Sequence, residues 1–280
     1  MNVRRLASRA YVRCAAPLGR RALSRMLRDG LPPRLAAPLR YLFDGREPPR
    51  AREQADAIER VRAAIAMRTE TYTLPPTSAS HPRVLSWPWL AHNVSVQRRW
   101  GLFLHLCAEA VAARRVLELG ACVGISGAYM ATAASHPRVV TIEASPELAP
   151  VARDTLAPFD AEVLHGMFDE RLPDALTAPI DLAYVDGHHD GAATLRYVRA
   201  IVPHLAPGAL IVLDDIRLYD EMIDAWRTLR TMPGLAAAID VGRFGLLVMG
   251  EGTGRLYDLA RYTGWWRVGG RRPGKRVTKL

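Results

Sequence analysis

The chain has 280 residues, 49% of them hydrophobic, and a formal net charge of +10. That length can bury a sizeable core, and no apolar run approaches the ~20 residues of a membrane span, so a soluble, cytoplasmic protein is expected. The charge does not make the whole chain a polyanion binder: residues 1–50 hold 12 basic and 3 acidic side chains, residues 251–280 hold 8 and 2, and 18 basic and 23 acidic lie between.

Lys275 and Lys279 are the only lysines, so arginine serves almost everywhere a cation is used. No nucleic-acid motif or aromatic interleaving accompanies the arginines, and codon bias explains them more simply than selected phosphate binding. Cys14, Cys107 and Cys122 are an odd set without CxxC spacing, which points to neither a zinc site nor a disulfide framework. Cys122 reads as a small packed residue rather than a nucleophile.

Residues 1–50 form an Arg- and Pro-rich extension that lacks the apolar region and cleavage site of a secretory signal. It is expected as a solvated, partly helical appendage, suited at most to weak contact with anionic membrane or nucleic acid. Residues 51–95 follow, with an amphipathic helix over 51–68 and then a loop over 71–95 whose prolines and Trp87 and Trp89 suggest either a lid or aromatic packing. A helix over 96–113 leads into the strand Val116–Leu119, interrupted by Glu118. Gly120 and Gly124 then form a turn before a helix from Ile125.

From there strand and helix alternate. Val139–Ile142 is a second strand ending at Glu143, and Ser145-Pro-Glu supplies a helix start. Ala161–Leu164 is a third strand. Ile180–Val185 is a fourth, running into Asp186-Gly-His188-His189-Asp190. A helix over 191–205 precedes the strand Ala209–Leu213, which ends in Asp214-Asp215; a helix over 219–231 and strands near 237–241 and 244–249 complete the count. Such alternation predicts an α/β, Rossmann-like, seven-stranded, mostly parallel sheet with an antiparallel last strand and helices on both faces. The core domain is 96–250, and 251–280 is a basic C-terminal tail. A glycine turn after the first strand and an acid after the second suit a cofactor carrying a ribose.

The run Glu118-Leu-Gly120-Ala-Cys-Val-Gly124-Ile-Ser126, then Glu143, then Tyr-Val-Asp186-Gly-His-His189, then Leu-Asp214-Asp215-Ile resembles the class I S-adenosylmethionine-dependent methyltransferases. Within them it is most similar to bacterial small-molecule O-methyltransferases related to catechol and macrocin O-methyltransferases. The resemblance spans about 96–250 and implies S-adenosylmethionine as cofactor, with Glu118, Gly120, Gly124, Ser126, Glu143 and Asp186 around it. It also implies methylation of a hydroxyl on a small-molecule acceptor. In metal-dependent members, three acids at the positions of Asp186, Asp214 and Asp215 hold Mg2+ against two substrate oxygens. Some relatives keep the acids without a metal, so both states stay open. His189 is the first choice of general base, His188 the second, with Asp186 alongside.

Three alternatives have different signatures. A nicotinamide dehydrogenase would carry G-x-G-x-x-G, whereas here the spacing is Gly-x-x-x-Gly. A nucleic-acid amino-methyltransferase using the basic tails would resemble others of its kind in an Asn/Asp-Pro-Pro-aromatic motif where this chain has Asp-Gly-His-His. A non-catalytic binding module need not keep Glu118, Glu143 and the acidic cluster together. Oligomeric state and acceptor identity are not encoded in these motifs.

Overall fold

A computed structural model describes residues 3–74 and 83–263, with side chains for 15–71 and 84–263. Part of the expected lid, 75–82, and the expected C-terminal tail beyond 263 lie outside the described residues. The chain divides into two compact units, one built from residues 1–46 and 180–275, the other mainly from 47–179.

The first unit opens with helices α1 (Val3–Arg28) and α2 (Ala36–Asp44). Apolar residues of these helices and of the segment joining them are spent on packing: Leu23, Leu31, Leu35, Leu39, Leu42 and Phe43 are all buried. Gly19 lets α1 approach α2, since a Cβ there would stand 2.7 Å from the Phe43 ring. Polar ties reinforce this. Arg20 pairs with Asp44, Arg34 donates to the Gly208 carbonyl at 2.7 Å, and the Tyr257 hydroxyl donates to the Asp29 carbonyl at 3.0 Å. Residues 15–46 therefore pack as a structural layer of this unit, with Arg20, Arg21, Arg25, Arg28, Arg34 and Arg40 exposed.

The second unit begins with α3 (Pro49–Ala66), whose proline sits where a helix start lacks an amide partner anyway. Ala51, Ala55, Ile58, Arg62 and Ile65 are its buried stripe. Within the expected loop 71–95, the strands β1 (Thr71–Leu74) and β2 (Arg83–Ser86) pair antiparallel, and α4 (Trp87–Trp89) follows. Buried Arg62 donates to the carbonyls of Ala91 (2.6 Å) and Val96 (2.5 Å). Trp87 is buried and Trp89 exposed, so the described part of this segment is anchored by one tryptophan and one arginine.

Next come α5 (Arg98–Ala110), β3 (Arg115–Leu119), α6 (Ile125–Ala131), β4 (Arg138–Glu143), α7 (Leu148–Leu156), β5 (Ala161–His165) and α8 (Phe168–Ala175). The strands run parallel in the order β3-β4-β5. As expected, the Ser145 hydroxyl starts α7, accepting from the amides of Glu147 (3.2 Å) and Leu148 (3.1 Å). Helix α8 was not expected; its early acids, Asp169 and Glu170, suit the positive end of a helix.

Back in the first unit, β6 (Ile180–Val185), α9 (Gly191–Ile201), β7 (Leu205–Leu213), α10 (Asp220–Leu229), β8 (Leu235–Asp240), β9 (Gly245–Met249), β10 (Arg255–Asp258) and α11 (Ala260–Thr263) complete the chain. Strand order is β10-β8-β9-β7-β6. Strands β6 and β7 are parallel, β9 is antiparallel to both of its neighbours, and β10 is parallel to β8. With three strands in one unit and five in the other, the main strands among the described residues number eight, not seven. The additional one, β10, buries only Tyr257 and leaves Arg255, Leu256 and Asp258 exposed, so it shows no apolar run. The strand expected near 244–249 is β9, and it is antiparallel as expected, between β7 and β8. No helix among the described residues is long and apolar enough to cross a membrane.

Candidate active site

In the second unit, the turn after β3 takes left-handed backbone at Gly120 (φ 100°), Cys122 (φ 50°) and Gly124 (φ 81°). Glycine is required at 124 on two counts: its φ, and a Cβ that would lie 3.0 Å from the Ala152 carbonyl oxygen on α7. The amides of Gly120 and Ala121 donate to the Ile142 carbonyl at 3.0 and 3.3 Å, fixing the turn to the end of β4. There Glu143 accepts from the Cys122 amide (2.7 Å) and from the Ser145 amide (2.9 Å), one on each oxygen. Each carboxylate oxygen has about two lone-pair sites, so Glu143 keeps acceptor capacity. Burial raises its pKa, and the Ser145, Cys122 and Ala144 amides pull it partly back.

Glu118 has a different environment. It is fully buried, and neither carboxylate oxygen, nor the hydroxyl of neighbouring Thr141, has a hydrogen-bond partner among the described residues. Burial pushes its pKa up to about 7; Ser126 and Thr141 offset part of that without reaching hydrogen-bond geometry. Oxygen Oε2 lies 3.0 Å from where a Cβ on Gly127 would be, so the start of α6 closes on the carboxylate. Buried polar atoms are almost always partnered. A carboxylate with two orphaned oxygens beside a glycine turn is a seat for a ligand cation, and this fits the ammonium end of S-adenosylmethionine.

In the first unit, parallel pairing sets Val185 beside Leu213, which brings Asp186 and Asp214 to adjacent strand ends. The Tyr184 hydroxyl lies 2.9 Å from Asp186 Oδ2 and 2.8 Å from Asp214 Oδ2. Because β9 runs antiparallel to β7, with Gly245 opposite Leu213, the β8–β9 turn delivers Arg243 to the same place. Its Nε and Nη2 donate to the two oxygens of Asp214 at 2.7 and 2.6 Å. Burial would raise Asp214, but the guanidinium outweighs it and holds the carboxyl below the usual range. Asp186 moves the other way, well above its ordinary value, through burial and the Asp214 charge; Asp215 is raised by the same two causes.

His189 places Nε2 3.8 Å from Asp186 Oδ1 and is about a third exposed, at 32%. His188 instead turns Nδ1 to the Tyr197 hydroxyl at 3.3 Å. Both histidines and Asp215 have positive φ, at 68°, 44° and 47°; such strain in non-glycine residues gathers at functional loops. Asp190 caps α9 by accepting from the Ala193 amide at 2.8 Å.

The acids expected to hold Mg2+ do not fit it. Among the described residues, no three of His, Cys, Asp or Glu are grouped to hold a metal ion, and Asp214 is already engaged by Arg243. Sequence reasoning missed Tyr184 and Arg243. Tyr184 reads as one more strand residue. Arg243 could have been found by asking which side chain an antiparallel hairpin returns to the carboxyl edge of the sheet.

Residues 117–216 match a family model described as a methyltransferase domain. The chain is 36% identical over 129 residues to a catechol O-methyltransferase of Mycobacterium tuberculosis, a match spanning 44% of this chain and 58% of that relative. Among solved structures it is similar to cofactor-bound Rv0187 from MTB, with TM-score 0.53 and 28% identity over 79% of this chain and 98% of that one. The O-methyltransferase TomG from Streptomyces achromogenes, solved with SAM, shares the fold at TM-score 0.51 and 22% identity, covering 74% of this chain and 92% of that one. Over the matched residues the chain is thus similar to methyltransferases in sequence and in fold.

Proposed function

We propose that this chain transfers a methyl group from S-adenosylmethionine to a hydroxyl oxygen of a small molecule. One observation carries the cofactor half of this reading: Glu118, buried with both oxygens unpartnered beside the glycine turn. Glu118 and Ser126 would hold the amino-acid end of the cofactor, the Gly120–Gly124 backbone would pass alongside it, and Glu143 would accept from ribose hydroxyls through its remaining lone pairs. When bound, the cofactor supplies an electrophilic methyl group on a sulfonium.

The acceptor half is the work of the chain's own side chains. His189 would take the proton of the acceptor hydroxyl, with Asp186 beside its ring at 3.8 Å. His188, directed to Tyr197, is the reserve. Tyr184 holds the two carboxylates in register. The relative's name makes an aromatic diol the first acceptor to try, with single phenols and alcohols beside it.

Calorimetry of the full chain with S-adenosylmethionine, followed by methyl transfer to that panel, tests the reading. Folded protein that takes up no cofactor would refute it.

A further inference from the structure

We infer that Arg243 is a built-in replacement for a divalent cation at the acidic cluster, so that this chain binds no Mg2+ there and needs no second acceptor oxygen to chelate one. The inference rests on the methyl-transfer reading for its consequence, not for its geometry.

A carboxylate has about four lone-pair sites. In Asp214, oxygen Oδ1 accepts from Arg243 Nε at 2.7 Å and from the Asp215 amide at 2.6 Å. Oxygen Oδ2 lies 2.6 Å from Arg243 Nη2 and 2.8 Å from the Tyr184 hydroxyl. Three sites are taken by N–H donors, and the fourth faces the Tyr184 hydroxyl, whose one proton lies between Asp214 and Asp186. A Mg2+ ion demands near-octahedral oxygen ligands at about 2.0–2.1 Å, and the carboxylate at the centre of the expected donor set is already engaged on both oxygens.

The guanidinium is also where the ion's charge is needed. Its side chain is 15% exposed against 0% for Asp214, Nε lies 3.9 Å from Asp215 Oδ1, and the Tyr184 hydroxyl ties Asp186 to the same carboxylate. One fixed cation thus pairs with Asp214 and faces the other two acids at longer range. A guanidinium forks onto a carboxylate bidentately and does not deprotonate in proteins. The Arg243 carbonyl, accepting from the Ile216 amide at 3.2 Å, locks the turn to the segment after β7. An ion holds substrate by coordinating two of its oxygens; Arg243, spent on Asp214, does not. An acceptor with one isolated hydroxyl therefore suffices.

Mn2+ titration of the full chain, read by the loss of its free paramagnetic signal, tests this without turnover. Wild type is expected to take up no stoichiometric Mn2+ below about 1 mM, while Arg243→Met exposes the acids and binds one ion at least about 10-fold more tightly. That gain should vanish in Arg243→Met/Asp214→Asn. One Mn2+ per wild-type chain at micromolar concentration, lost in Asp214→Asn, would overturn the inference, as would a folded Arg243→Met that gains no site. Should Arg243→Met not fold, the wild-type titration decides alone. Failure of S-adenosylmethionine binding would remove the methyl-transfer reading and leave the Mn2+ result standing.

Discussion

Replacing Glu118 by Gln should stabilise the cofactor-free protein and cripple cofactor binding. The carboxyl is fully buried without a hydrogen-bond partner, and burial raises it from 4.5 to about 7. A carboxyl raised in the folded state holds its proton more tightly there than in the unfolded chain. Its contribution to stability is therefore undiminished below pH 4.5, falls as pH rises toward 7, and is flat above. At ~1.4 kcal/mol per pH unit, the full cost of ionising it in place is about 3 kcal/mol. Glu118→Gln removes that cost and keeps the shape. Urea unfolding of both proteins without cofactor should give equal stabilities near pH 4.5 and a variant more stable by about 3 kcal/mol at pH 8. Calorimetry at pH 6 in buffers of different ionisation enthalpy should show that wild type releases up to about one proton on binding S-adenosylmethionine, because a bound ammonium favours the carboxylate. The variant should release none and bind at least about 10-fold more weakly. A stability difference that does not change between pH 5 and 8, or a variant less stable at pH 8, would refute the reasoning.

His189→Gln should lower kcat by about 10²- to 10⁴-fold, the usual range for a general base, with cofactor affinity unchanged by calorimetry. Arg243→Met should cost about 3–5 kcal/mol in denaturant unfolding by leaving Asp214 charged and buried alone, and adding Asp214→Asn should restore part of it. Gly124→Ala should cost about 2 kcal/mol, since its φ of 81° and the Ala152 carbonyl 3.0 Å away both oppose a Cβ. Phe43→Ala should cost about 3–4 kcal/mol; a change near zero would mean that residues 1–46 are the free appendage expected from their composition.

Much of the second unit was legible because its signals are local. The apolar run of β3, the paired glycines, the acid closing β4 and the Ser145 start of α7 each fall within a few residues, and each needs only backbone geometry to interpret. Elements whose stability comes from distant partners were not. Strand β10 contributes a single buried side chain, Tyr257, whose hydroxyl is satisfied by Asp29, far away in sequence. From the end of α1 through α2 the helical spacing of Leu31, Leu35, Leu39 and Leu42 was present, but the surrounding arginines suggested a solvated face; the buried leucines show that high charge and a packed stripe coexist on one segment.

The acidic cluster shows the same division at the level of chemistry. Asp186, Asp214 and Asp215 are readable as acids at strand ends, and gathering acids in a buried place requires a cation, because desolvation and mutual repulsion otherwise protonate them. The sequence order of the acids does not say which cation. That answer comes from the direction of one strand: β9 starts where β7 ends, so the short turn before it returns to the carboxyl edge, and the side chain it carries there is an arginine. Had β9 run parallel, its leading turn would lie at the opposite edge and the cluster would have to find its charge elsewhere. Arg243 holds Asp214 low against its burial, while burial and the Asp214 charge hold Asp186 high. The guanidinium, with the Asp215 amide, engages both oxygens of the first carboxylate and leaves the second, next to His189, as the group able to share a proton.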